Sequence, residues 1–130
     1  MANERIDDPN TNRGLQAAII CEQNDAFRKA SCGYPTGEAV PEGKLVMTQG
    51  VNALGPAFIM VLLERLASFN DFTFDNDPTG WHEFGALEVN DIKVWFKIDL
   101  YDLNYEVGSE TPHDPDQTRR VMTLLLPQEY

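Results

Sequence analysis

Apolar and polar residues alternate most cleanly between Ile92 and Tyr101, where Ile92, Val94, Phe96, Ile98 and Leu100 interleave with Lys93, Trp95, Lys97, Asp99 and Tyr101. A period of two places the first set on one face of a β-strand and the second set on the other. The first face is expected to pack on helices and the second to meet solvent or a partner. His82 to Val89 reads as the preceding strand, joined at Asn90-Asp91 by a two-residue hairpin turn that lacks only the favoured glycine. Upstream, Asp75-Asn76-Asp77-Pro78-Thr79-Gly80 is turn chemistry: Asn and Asp bond their own backbone, Pro fixes φ and Gly admits a positive φ.

The N-terminal half carries helical spacing instead. Thr11 or Asn12 can cap a helix running to about Ala30, with Leu15, Ala18, Ile19, Ala26, Phe27 and Ala30 near one face and Glu22 and Gln23 interrupting it. Arg28-Lys29 in its last turn suits the negative helix end. Ser31 to Gly43 reads as a loop, and it lacks the Gly-Lys-Ser/Thr ending of a phosphate-binding loop. Lys44 to Thr48 is a short strand candidate. A second helix starts at Pro56, and Phe58, Ile59, Leu62, Leu63, Leu66 and Phe69 recur at helical spacing. With Met60 and Val61 also apolar, that helix is expected to be almost wholly buried. The closing TRRVMTLLLP (residues 118–127) reads as a strand in preference to a short helix, because Val121, Thr123 and the leucine run suit a central position and Pro127 stops it. The expected architecture is a polar lead-in over 1–10 and one α+β domain over 11–130. Its core is an antiparallel sheet of about four strands with two main helices packed on one face.

Composition narrows the function. A chain of 130 residues, 42% hydrophobic, supports one domain with a real core. The formal charge of −11 is concentrated between Asp71 and Asp116, where twelve carboxylates face two lysines. This balance argues against direct binding to nucleic acid or to an anionic membrane, both of which need Lys and Arg to meet phosphate. No apolar run approaches the ~18 residues of a membrane helix and no secretory signal opens the chain, so a cytoplasmic home is expected. Cys21 and Cys32 do not make a disulfide framework, and neither has a His or second Cys at a recognised ligand spacing.

Three segments, Phe74 to Gly85, Val94 to Asp102 and Thr118 to Tyr130, together resemble the bacterial family catalogued as domain of unknown function 3768. Asn24 to Arg28 and the strand ending in Thr48-Gln49-Gly50 fit the same pattern. The resemblance transfers no activity. It implies a bacterial cytosolic protein of the kind carried by proteobacterial chromosomes, plasmids and phages.

Candidate chemistry is sparse. Asp75, Asp77, His82 and His113, with Asp114 and Asp116, are ligand types for a divalent metal, though no pair has a recognised spacing and the EF-hand run is absent. A small metal-dependent hydrolase centred on His82 and His113 is therefore the rival reading. Cys32 with His82 or His113 lacks the marks of an activated nucleophile. Asp99 and Asp102, three apart in a strand, should point to opposite faces and not work as an acid-base pair. No cofactor is expected. The preferred expectation is a non-enzymatic acidic interaction domain in which Asp71, Asp75, Asp77, Glu83, Asp99, Asp102 and Glu106 stand in for phosphates beside Trp95 and Tyr101. Its partner would be a basic or nucleic-acid-binding protein, as for an anti-restriction or anti-CRISPR inhibitor. A homodimer through the first helix or the aromatic face is a further expectation.

Overall fold

In the computed structural model, which describes residues 9–130, the alternating segment forms strand β3 (Ile92–Tyr101). It pairs antiparallel with β2 (Phe84–Val89) through the hairpin, with Val89 opposite Ile92. Asn90 and Asp91 take φ of 51° and 65°, the left-handed pair that matches the twist of a two-residue hairpin. On its other side β3 pairs antiparallel with β4 (Arg119–Leu125), so the closing segment is a strand, as its β-branched composition predicts.

The fourth strand departs from expectation. β1 (Gly43–Met47) pairs parallel with β4, giving a mixed sheet in the order β1-β4-β3-β2. A parallel pairing between distant segments carries no turn signal in the sequence, whereas a hairpin does. Gly43 makes the pairing sterically feasible, because a Cβ there would lie 2.2 Å from the Arg120 carbonyl oxygen and 2.7 Å from the Phe27 ring.

The helices cover one face of this sheet. They are α1 (Pro9–Ser31), a single-turn α2 (Gln49–Asn52) and α3 (Pro56–Ala67). α1 begins at Pro9, so the part of the lead-in expected over 9–10 is helical, consistent with proline at a helix start; residues 1–8 lie outside the described residues. Phe27, Leu62, Leu66, Val94, Phe96, Ile98, Met122 and Leu124 form the core between helices and sheet.

Two faces were misassigned by hydrophobicity alone. In α1 Ala26 and Phe27 are buried as expected, but Ile20, Asn24 and Arg28 are buried with them, while Leu15 and Ile19 are exposed. Asn24 and Arg28 go inside because distant groups satisfy them: Asn24 donates to the Trp81 carbonyl, and Arg28 donates to the carbonyls of Leu66 and Phe69. α3 is half-buried and not wholly so, since only its Leu62 side meets the sheet and Met60 is 72% exposed. Val51, in α2, is fully buried.

Candidate functional site

The three α-helices occupy one side of the sheet, and the opposite side is open except where the C-terminal Tyr130 lies against Trp95, beside the buried Leu125. The strand register puts Phe84, Ala86 and Glu88 of β2, Lys93, Trp95, Lys97, Asp99 and Tyr101 of β3, Arg119, Val121 and Thr123 of β4, and Lys44 and Val46 of β1 on it. The expected placement of Trp95 and Tyr101 on the outer face is therefore found. Trp95 lies edge-on to Phe84 and Tyr130, at 5.3 and 5.7 Å between ring centroids. The charge on this face is not the expected one. Four cations, Lys44, Lys93, Lys97 and Arg119, share it with three carboxylates, Glu42, Glu88 and Asp99, of which Glu42 pairs with Arg119 at 3.5 Å and Asp99 with Lys97 at 2.6 Å.

The carboxylates singled out by the sequence are divided among different tasks. Asp99 is paired with Lys97 at 2.6 Å. Asp77 is buried and accepts the backbone N–H of His82. Glu83 accepts the Thr79 hydroxyl at 2.7 Å. Asp102 accepts the backbone N–H groups of Asn104 and Glu106, bonds that hold its carboxyl below the usual range. Asp71, Asp75 and Glu106 are exposed. Phe74, between Asp71 and Asp75, is 95% exposed.

The expected metal set is likewise split. His113 is tied to α1 through its carbonyl, which accepts from Gln23, and Asp75 faces solvent, so neither joins His82. His82 instead meets two residues of α1. Its Nδ1 lies 2.9 and 3.1 Å from the Asp25 carboxylate oxygens and 3.2 Å from Cys21 Sγ. Cys21, Asp25 and His82 make the one group of three metal-ligand types gathered within 4.8 Å among the described residues. Cys21 and Asp25 project together because they are four apart in a helix, a spacing legible in the sequence but missed when only His and Cys partners were sought.

The ring of His82 is held by further neighbours. Phe72 stacks on it at 3.7 Å with the planes 5° apart, and Asp77 Oδ2 stands 3.8 Å from Nε2. His82 itself adopts φ of 55°, a backbone conformation rare for a residue with a side chain, and the Asp77 bonds to its N–H help hold it. Asn24, donating to the carbonyl of Trp81, ties this turn to α1. Burial and then the Asp25 carboxylate push the Cys21 thiol up to about 11, and burial pushes Cys32 up to about 11, so neither is an activated thiolate nucleophile at neutral pH. Both cysteines are free thiols.

Fold and surface together define an α+β domain with a one-sided sheet, helices on the inner face and an aromatic, cation-bearing outer face. The chain belongs to the family described as protein of unknown function DUF3768, whose model matches residues 47–129, more than half of its length. No curated protein and no solved structure matches the chain. No helix among the described residues is long and apolar enough to cross a membrane.

Two of the segments that carry the resemblance meet in a structural clasp. Thr48 caps α2 and donates to Glu129, which also accepts the N–H groups of Gly50 and Leu126. A Cβ at Gly50 would lie 2.5 Å from the Glu129 carboxylate. Thr48-Gln49-Gly50 and the C-terminal turn are thus matched to each other. Cys21 and Asp25 lie outside the matched span, whereas Asp77 and His82 lie within it.

Proposed function

We propose that the chain is a non-enzymatic interaction domain that docks an acidic, partly apolar protein segment on the open face of its sheet. The observation that carries this reading is the placement of cations. Four of them accompany three carboxylates on the face bearing Phe84, Trp95 and Tyr101, in a chain of formal charge −11, and the carboxylates of Glu42 and Asp99 pair with Arg119 and Lys97 and not with Lys44 or Lys93. Screening confines exposed charges to a range of about 8 Å at physiological salt, so a segment lying on this face meets its local charge more than the distant acidic surface. Aromatic rings with polar surroundings supply the contact area that interfaces use.

The test compares baits in pull-downs from lysate at low and high salt, using the wild-type chain and the Lys44→Glu/Lys93→Glu variant. Both side chains are exposed, so the fold should be unaffected. An acidic protein captured by the wild type, weakened by salt and lost with the variant supports the docking face. Capture that the variant retains, or no acidic partner at all, rejects it.

A second reading keeps the acidic inhibitor of a nucleic-acid-binding protein, and Phe74 is the observation in its favour. An apolar ring exposed between two exposed carboxylates suits a basic groove with an apolar floor. A basic partner captured by the wild type but not by Asp71→Lys/Asp75→Lys supports it. The same basic partner captured by both baits removes it.

A further inference from the structure

We infer that Cys21, Asp25 and His82 bind one divalent transition-metal ion of the zinc class, leaving one coordination position to water or an external ligand. The inference starts from three ligand types converging on one point. His82 Nδ1 lies 2.9 and 3.1 Å from the Asp25 carboxylate oxygens and 3.2 Å from the Cys21 sulfur, and the Cys21 thiol also reaches Asp25 Oδ2. Without an ion, an Nδ1–H and the thiol can each donate to Asp25, and a cation among the three takes the place of those two protons. Zinc bonds of ~2.0–2.3 Å place tetrahedral ligand atoms roughly 3.3–3.6 Å apart. Asp25 Oδ2 lies 3.1 Å from Nδ1 and 3.9 Å from Sγ, which brackets that spacing.

The surrounding groups are those that orient metal ligands. Arg28 Nη1 holds Asp25 Oδ1 at 2.9 Å and leaves Oδ2 toward the cluster. Asp77 supports the site through the backbone, since its carboxylate accepts the His82 N–H and stands 3.8 Å from the other ring nitrogen. Mixed sulfur, nitrogen and oxygen donors select the zinc class over magnesium or calcium, which take oxygen ligands. The side chains of Asp25 and His82 are 29% and 25% exposed, so an ion can enter from solvent.

The site would fasten α1 to the turn ahead of β2, and it stands independently of the docking face. The full chain, purified without chelator or histidine tag, should hold close to one equivalent of zinc by elemental analysis. It should also take up Co(II) with a thiolate-to-cobalt charge-transfer band. Cys21→Ser should abolish the band and Cys32→Ser should keep it. His82→Asn, whose new residue tolerates the positive φ, should lose the ion while retaining its circular dichroism. His113→Gln should change nothing. A folded wild type that takes up neither ion overturns the assignment, as does a cobalt band that survives Cys21→Ser or disappears with Cys32→Ser.

Discussion

Arg28 and Arg120 are both fully buried guanidinium groups on the helix side of the sheet, and the account predicts opposite consequences for replacing each with methionine. Arg28 has a carboxylate partner, Asp25 at 2.9 Å, and donates to the carbonyls of Leu66 and Phe69 at 3.0 and 3.1 Å. Its removal strands two carbonyl acceptors at about 1–3 kcal/mol each and breaks a largely buried ion pair, for a total of roughly 3–5 kcal/mol. Among the described residues Arg120 has no carboxylate partner. It donates to the amide oxygens of Asn24 and Gln23, and among the described residues its Nη1 has no partner. Burial pulls its guanidinium down to about 10, well below its ordinary value, a burden of roughly 3 kcal/mol for keeping it charged in the folded state. With the folded value below the unfolded one, the burden is fully present below about pH 10 and lifts only as pH rises beyond it. Losing the bond to buried Asn24 costs about 1–3 kcal/mol, so Arg120→Met should change stability by no more than about 2 kcal/mol in either direction. Urea unfolding followed by tryptophan fluorescence measures both variants, provided the m-value is unchanged. An Arg120→Met variant destabilised as much as Arg28→Met would refute the reasoning about the missing counter-charge.

Two further predictions concern the turn and the clasp. Asp91, at φ of 65°, should tolerate glycine with little or no loss, whereas Asp91→Val should cost roughly 1–2 kcal/mol, measured by the same urea titration. Hydrogen bonds from Thr48, Leu126 and Gly50 hold the Glu129 carboxyl below its ordinary value, so its contribution is complete above about pH 4.5 and is lost as pH falls through the lower folded value. Acid unfolding of Glu129→Gln should therefore be less steep in that range than that of the wild type, and identical acid profiles would contradict the clasp.

Much of the fold was legible because its strongest signals are local. The two-residue period of Ile92 to Tyr101, the turn at Asn90-Asp91 and Pro56 at a helix start each act through neighbouring residues. What escaped depends on distant partners. The parallel β1–β4 pair has no connecting turn, and the buried face of α1 is set by Asn24 and Arg28, whose acceptors lie around Leu66, Phe69 and Trp81. The position of His82 was legible only as a strand start, but β2 begins at Phe84, and the left-handed backbone of His82 turns its ring toward Cys21 and Asp25. Counting charge along the chain also misled. The acidic segment folds so that its carboxylates cap turns, pair with Lys97 or face outward from separate loops, while its two lysines point from one sheet face.

The most direct measurement of that face is ionic quenching of Trp95 in a Trp81→Phe background. Trp95 is half-buried beside the open face, with Lys93 and Lys97 two positions away on either side. In a chain of charge −11, a uniform surface field favours quenching by a cation such as cesium. The account predicts the reverse, with iodide quenching Trp95 more efficiently than cesium and the preference fading as salt rises. Stronger quenching by cesium would contradict the cation-bearing face on which the proposed function rests.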